Sequence, residues 1–411
     1  MLSNRTSKLV KRFASAAAAS TRGARETTSV LSNGLSVSSI ELNGATSSLV
    51  LAFRAGSRYQ PAAQQGLVQI VRNSIGRDSQ EFPGLQLVWN TAQNGGKIAA
   101  VSNRDILAIQ LDVVRDNAGV GLSLLGQLGT NAFKPWDTED VKHDVIPSEN
   151  TYLSGSAFVL EQLHEAAFRN GPLAYSNYGV NNVSSKALSE FAAQRLVAGE
   201  AVLVGVNIDH ELLVNAAAQQ FPLAENAAKP VAASKYYGGD VRKFSSGSRT
   251  YVAIAGQGSS SKSTKDVATQ AVVAQILQNA TSKISNATSI NISYQESGLV
   301  GVQFDAPHAN INTITTSIVS AIKSAAVSDI ENVKQAVANN ILTSSQDARN
   351  VALDKASRIL AGAEASSPAE IAAAVRSVNA NDATQLLKQV TSKLSLSAYG
   401  NPALVPYIDQ L

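Results

Sequence analysis

The chain has 411 residues, 44% of them hydrophobic and 16% charged, which predicts a globular protein with at least two domains and a large core. Its net charge of +3 is too small to indicate a nucleic-acid partner. The absence of cysteine excludes disulfides, iron–sulfur clusters and thiol nucleophiles. No apolar run approaches the ~18 residues of a membrane-spanning helix, so any membrane association is expected to come through partners.

The first 25 residues differ in kind from the rest of the chain. They carry six basic residues, no acidic residue before Glu26, and many Ser, Thr and Ala. This composition is typical of a mitochondrial transit peptide, with a disordered basic tail as the alternative. Matrix proteases prefer an arginine two residues before the cut, so Arg12 predicts cleavage after Phe13. Cuts near Arg22 or Arg25 are alternatives.

We therefore expect the protein isolated from mitochondria to lack its N-terminal segment. The physical reason is that a basic, acid-free segment is the signal that import reads and removes. Sequencing the N-terminus of the isolated protein is the measurement. Finding Met1 or Leu2 at that terminus would contradict import by this route.

The folded part is predicted to open with three strands separated by tight turns. Asn33-Gly34 and Asn43-Gly44 each lie between strand-like runs. Asn-Gly supplies the positive φ that tight hairpins require. The pattern predicts an antiparallel meander through Val30, residues 35–42 and residues 49–53.

A short helix is predicted next, with Leu67, Ile70, Val71 and Ser74 on one face. The order of strand, Gly-containing turn and helix opening on Gly66 resembles the zinc-binding segment of the pitrilysin-like metallopeptidases. This family includes the mitochondrial processing peptidases. It places an H-x-x-E-H motif on this helix, with two histidines for zinc and a glutamate as general base.

In that register the three motif positions are occupied by Gln69, Arg72 and Asn73. Neutral amides are poor zinc ligands, and Arg72 places a permanent positive charge where the general base belongs. The family's further zinc glutamate falls at Glu149 or its neighbour Asn150, and a lone carboxylate does not hold zinc. The resemblance therefore predicts a degenerate site with no catalytic residue, metal or cofactor. An ordinary amphipathic helix is the alternative interpretation.

Three later segments extend the resemblance. Residues 163–168 read Leu-His-Glu-Ala-Ala-Phe and resemble the family's L-H-x-x-A-[FY] segment. Residues 177–188 are most similar to the core proteins of mitochondrial ubiquinol–cytochrome c reductase, and residues 237–242 resemble the Tyr-Gly-Gly-x-x-Arg segment that opens their second half. His164 has no second ligand nearby, so we predict a hydrogen-bonded core histidine.

The second half of the chain repeats the order of elements of the first, beginning with a strand at residues 251–255 that corresponds to residues 49–53. The resemblance and this repeat together predict an α+β protein of two homologous domains, each a mainly antiparallel sheet faced by helices. A linker rich in Pro and Ala separates them. The predicted boundaries are 1–25 for the transit peptide, 26–221 for the first domain, 222–235 for the linker and 236–411 for the second domain.

The resemblance also implies a function. It predicts a non-catalytic structural subunit of respiratory complex III on the matrix side of the mitochondrial inner membrane. Its partners would be core protein 1 and the other subunits of a dimeric complex. The alternative is the noncatalytic α-type subunit of the processing peptidase, whose long glycine-rich loop would correspond to the serine-rich residues 256–263. An active zinc metallopeptidase would require ligands that positions 69, 72 and 73 lack.

Overall fold

The computed structural model describes residues 25–179, 183–225, 230–363 and 366–410. The predicted transit peptide and its cleavage positions lie outside the described residues, apart from Arg25, which begins the first strand. Within the described residues, no helix combines the length and the apolar composition needed to cross a membrane.

The first half of the chain is built on a six-stranded sheet with the strand order β1-β2-β6-β3-β5-β4. Its pairs are antiparallel except β2 and β6, which run parallel. The strands are β1 Arg25–Val30, β2 Ser36–Glu41, β3 Thr46–Phe53, β4 Lys97–Ser102, β5 Leu107–Val114 and β6 Ala201–Val206.

The predicted meander is correct for the pairing of β1 with β2 and wrong for the pairing of β2 with β3. Gly34, at φ +90°, forms the expected hairpin between β1 and β2, but β6 lies between β2 and β3. Asn207, which follows β6, fills the gap beneath the second turn: its side chain accepts from Leu42 N at 2.9 Å and donates to Thr46 O at 2.8 Å. The second Asn-Gly pair therefore crosses the end of an inserted strand.

In the described residues, the first half contains eight α-helices. They are α1 Leu67–Asn73, α2 Gly84–Gln93, α3 Ala118–Leu128, α4 Pro135–Asp140, α5 Ile146–Tyr152, α6 Gly155–Phe168, α7 Ser185–Arg195 and α8 His210–Gln220. A π-helical turn, Val141–Val145, joins α4 to α5.

The second half is built on a five-stranded sheet with the strand order β7-β11-β8-β10-β9. The strands are β7 Asp240–Phe244, β8 Arg249–Gly258, β9 Thr288–Ser293, β10 Gly298–Pro307 and β11 Leu394–Gly400. The helices are α9 Thr264–Thr281, α10 Ile311–Lys323, α11 Ile330–Ser344, α12 Ala348–Ala361, α13 Pro368–Arg376 and α14 Ala380–Ser392.

The two sheets share one topology. Strands β2, β6, β3, β5 and β4 correspond in order to β7, β11, β8, β10 and β9, and the single parallel pair stands in the same place in both. The predicted fold of two homologous units, each a mainly antiparallel sheet faced by helices, is confirmed. The domain boundaries stay a prediction.

One helix of each half packs against the sheet of the other half. Helix α6 of the first half covers the second sheet, where Val159, Leu163 and Ala167 pack against Ala253 and other buried residues of the strands. Helix α12 of the second half covers the first sheet in the same way, with Ala352 and Leu360 against the valines of β6. Each sheet is consequently buried on both faces, by its own helices on one side and by the exchanged helix on the other.

Candidate functional site

The degenerate motif lies on α1, and the local chain fixes where that helix begins. Gly66 precedes α1 with φ +90°, a conformation that residues with a Cβ rarely adopt. A Cβ on Gly66 would lie 2.1 Å from the carbonyl oxygen of Gly179. Glycine at this position therefore lets the segment ending at residue 179 pack directly against the start of the motif helix.

The structure brings the three motif positions together with Glu149. The Glu149 carboxylate accepts hydrogen bonds from Gln69 Nε2 at 3.1 Å and from Asn73 Nδ2 at 2.9 Å. Arg72 Nη2 donates to the other carboxylate oxygen and completes an ion pair. Gln69 also donates to Asn150 Oδ1 at 3.1 Å. The four positions named from sequence thus form one cluster between α1 and α5.

The electrostatics of this cluster oppose a divalent cation. Every group that faces the Glu149 carboxylate is a hydrogen-bond donor, and one of them, Arg72, is a fixed positive charge whose side chain is only 14% exposed. Burial acts to raise the pKa of Glu149, but the hydrogen bonds from Asn73 and Gln69 and the charge of Arg72 together hold that pKa below its ordinary value. The residues present do not fit a zinc ion, because the guanidinium already provides the positive charge.

Sequence reasoning missed one member of the cluster. The Gly179 amide donates to Gln69 Oε1 at 3.2 Å and fixes the orientation of that buried amide. Residues 177–179 contributed to the family resemblance, but the sequence did not indicate that Gly179 contacts the motif helix. A second feature without a sequence signal is the π-helical turn that precedes α5 and sets the register in which Glu149 faces α1.

The cluster should contribute stability in a pH-dependent way. We expect Glu149→Gln to lower the free energy of unfolding at pH 7 by about 1–3 kcal/mol, since it removes a charged acceptor with three donors. Because the folded-state pKa of Glu149 is depressed, this contribution is present above its ordinary value of 4.5 and is lost as the pH falls through the folded-state pKa. Denaturant titrations of both proteins from pH 7 to pH 3 measure the difference.

The control for this prediction is Glu190→Gln, which removes a 60% exposed glutamate that lies 3.8 Å from Lys186 on α7. An exposed pair of this kind contributes little, so the control should change the free energy of unfolding by less than about 1 kcal/mol at any pH. A Glu149→Gln deficit that stays constant down to pH 3 would contradict the assigned charge interaction.

The predicted core histidine is confirmed. His164 is fully buried on α6; its Nδ1 donates to Leu160 O at 2.7 Å and its Nε2 lies 2.7 Å from the Tyr294 hydroxyl. Burial and the nearby charge of Arg104 lower its pKa well below the usual value, so the ring is neutral at pH 7. Among the residues that the structure describes, no group of three or more His, Cys, Asp or Glu side chains is placed to hold a metal ion.

The Arg104 guanidinium forms the centre of a buried polar network that joins the turn between β4 and β5 to helix α6. Its Nη1 and Nη2 donate to Glu161 at 3.0 and 2.9 Å, and its Nε donates to Leu173 O at 2.9 Å. Glu161 also accepts from the amide of Asn177 at 2.9 Å. Arg104 is only 3% exposed, so this is a satisfied, desolvated ion pair. Its groups tie the turn between β4 and β5 to α6 and to the segment after α6.

The chain is similar to known proteins along most of its length. Residues 36–180 match the family model described as Insulinase (Peptidase family M16). The chain is 22% identical to human "Cytochrome b-c1 complex subunit 2, mitochondrial", across 93% of this chain and 91% of the relative. It is 24% identical to the Neurospora crassa protein of the same name, across 98% and 94%.

A second kind of relative is equally similar. The chain is 24% identical to "Mitochondrial-processing peptidase subunit alpha-2" of Dictyostelium discoideum, across 93% of both proteins. Among solved structures, a chain of "Complex III2 from Candida albicans, Inz-5 bound" superposes with a TM-score of 0.80 at 19% identity, covering 93% of this chain and 97% of that one. The resemblance to the pitrilysin-like proteins is confirmed, and so is their two-domain fold.

Proposed function

We propose that this chain, which has the two-domain fold of the pitrilysin-like peptidases, is the non-catalytic core protein 2 of mitochondrial ubiquinol–cytochrome c reductase, respiratory complex III. In this function it binds core protein 1 and other subunits of the dimeric complex on the matrix side of the inner membrane. It supports electron transfer from ubiquinol to cytochrome c by those subunits, and it binds no cofactor.

The observation that supports this proposal is that amide and guanidinium side chains occupy the positions of the zinc motif. Where a peptidase needs imidazoles and a general base, Gln69, Arg72 and Asn73 donate to Glu149 and join α1 to α5 through their side chains. Such a cluster stabilises the fold but activates no water. The relatives named as subunit 2 of the cytochrome b-c1 complex, similar along nearly the whole chain, supply the assembly in which such a protein acts.

The α-type subunit of the processing peptidase is the second candidate, favoured by the Dictyostelium relative. The stretch assigned from sequence to its glycine-rich loop argues against it. Gly256, Gln257 and Gly258 belong to strand β8, which corrects that assignment, and only residues 259–263 form a loop. A Cβ on Gly256 would lie 1.9 Å from Val390 O, so this glycine serves close packing on α14 rather than loop flexibility.

Deleting the gene tests the proposal. Because a subunit without redox groups acts only through its contacts, we expect the amount of assembled complex III to fall severalfold and quinol oxidation to fall with it. Native gels of solubilised mitochondrial membranes and quinol–cytochrome c reductase activity are the measurements. A deletion strain with normal complex III but with accumulated uncleaved presequences would favour the processing peptidase and overturn the proposal.

A further inference from the structure

Both tryptophans of the chain are exposed. The side chains of Trp89 and Trp136 are 67% and 65% exposed, although tryptophan is usually one of the most buried residues by area. Trp89 shares one face of α2 with Leu85, 77% exposed, and Val88, 46% exposed, because these residues stand at i, i+3 and i+4. Leu87 faces inward and is 2% exposed. Helix α2 thus presents an apolar face to solvent.

Trp136 lies on the same flank of the first half. One Asp78 carboxylate oxygen accepts from Gly84 N, the first residue of α2, at 2.8 Å. The other accepts from Lys134 Nζ at 2.6 Å, and that ammonium lies 5.5 Å from the centre of the Trp136 ring. We define the apolar patch as Phe82, Leu85, Val88, Trp89 and Trp136.

The size of the apolar patch is that of a binding surface. Its five partly exposed side chains present roughly 600 Å² of apolar area, the upper range of what monomers leave in one place. A standard protein interface removes about 800 Å² from each partner. Trp is also among the residues most often found to dominate binding energy in such interfaces. Exposure of this much apolar surface is therefore unfavourable unless another molecule covers it.

The charges around the apolar patch select the kind of molecule. Carboxylates outnumber basic groups by five to three among the charged side chains of the surrounding segments. They are Asp78, Glu81, Asp137, Glu139 and Asp140 against Arg77, Lys134 and Lys142. The three basic groups are ion-paired with carboxylates of this set, Lys134 with Asp78, Lys142 with Glu139 and Arg77 with Asp140, which leaves a net excess of two negative charges. This excess opposes an anionic membrane surface and a second copy of the same patch. A different protein with an apolar face bordered by Lys or Arg fits both properties.

We propose that the apolar patch is the docking surface for another protein subunit of the same complex, one that offers an apolar face with a basic border. This inference rests on the proposed function, because it takes the complex as the source of the partner. The two Trp rings supply most of the contact, and the excess carboxylates determine which surface of the partner can approach.

Site-specific photo-crosslinking tests the inference in cells whose only copy of the chain carries p-benzoylphenylalanine at position 89. We expect a light-dependent adduct with one defined subunit of cytochrome b–c1, identified by mass spectrometry of the complex excised from a native gel. The matched control carries the same photo-reactive residue at position 212, where Leu212 is 45% exposed on helix α8. An adduct from position 89 with lipid only, with a second copy only, or with nothing would overturn the inference.

A variant measures the contribution of the patch to assembly. We expect Leu85→Ser with Trp89→Ser to reduce the amount of this chain in the assembled complex about tenfold, because it removes two central apolar contacts. Leu212→Ser should leave that amount unchanged. Thermal unfolding of the purified variants should show a change of a few degrees at most, since both side chains face solvent. A double variant that assembles like the wild type would also overturn the inference.

These outcomes separate the inference from the function on which it rests. If deleting the chain leaves complex III intact, the proposed function fails. If deletion depletes the complex but position 89 forms no adduct with a subunit, the chain is a scaffold whose apolar patch is not its docking surface.

Discussion

Replacing Arg104 by Met is expected to lower the free energy of unfolding by about 3–5 kcal/mol, among the largest effects of any single substitution in this chain. The substitution leaves the Glu161 carboxylate, a side chain only 12% exposed, without its charged partner. It also removes the donor to Leu173 O, so a buried carbonyl loses its hydrogen bond. Denaturant unfolding followed by circular dichroism is the measurement.

The chain offers a matched control for this substitution. Arg115 makes the same two-pronged contact with Glu41, at 2.9 and 2.7 Å, but its side chain is 41% exposed. Arg115→Met should cost less than about 1 kcal/mol, because water replaces the lost contact. Replacing Arg104 and Glu161 together by Met should recover part of the loss, since no unpaired charge remains. Equal costs for the two single substitutions would contradict the assignment of Arg104 as a desolvated charge.

The second large effect is a gain of zinc binding. The wild-type protein is expected to hold no stoichiometric zinc and to cleave no presequence peptide, alone or with core protein 1. Gln69→His, Arg72→Glu and Asn73→His together would place two imidazoles one helical turn apart, facing the Glu149 carboxylate that already contacts both positions. We expect this triple variant to bind zinc at least weakly. Metal analysis by mass spectrometry after dialysis measures it.

Two control variants test whether zinc binding by the triple variant depends on the two new histidines and on Glu149. Arg72→Glu alone should bind no zinc, because both imidazoles are missing. The triple variant with Glu149→Gln should lose the metal, because the third ligand is gone. Peptidase activity is not expected in the triple variant. The groups around these positions form hydrogen bonds with the amides of Gln69 and Asn73, and they are not arranged to orient histidine ligands of zinc. One tightly held zinc in the wild type, removable by a chelator together with cleavage of peptides, would overturn the account of the degenerate site.

Local sequence pattern was sufficient to predict most helices and strands, whereas the site was found through the family resemblance. The sequence predicts a helix over residues 84–93 and a strand that begins at residue 97, separated by Gly95-Gly96, and α2 and β4 lie there. The motif positions were found by registering Gly66, whose backbone conformation the turn requires. The association of these positions with Glu149 came from the resemblance, since a separation of about 80 residues leaves no periodic signal.

The errors have a common cause in long-range pairing. The turn at Asn43-Gly44 has the local chemistry of a hairpin, and only residues of β6, far along the chain, prevent β2 from pairing with β3. Helices α6 and α12 each bury a face against the sheet of the other half, and no local pattern in the sequence says which sheet receives a helix.

Because α6 and α12 each pack on the sheet of the other half, the first half cannot finish folding until the second half is present. A chain made or imported from its N-terminus forms all strands of the first sheet by residue 206, yet the helix that covers one face of that sheet begins at Ala348. During this interval the valines of β6 face solvent, which favours aggregation. We therefore expect the first half to need a chaperone or rapid delivery of the remaining chain in order to fold. A product truncated before α12 would aggregate rather than persist as a smaller folded protein.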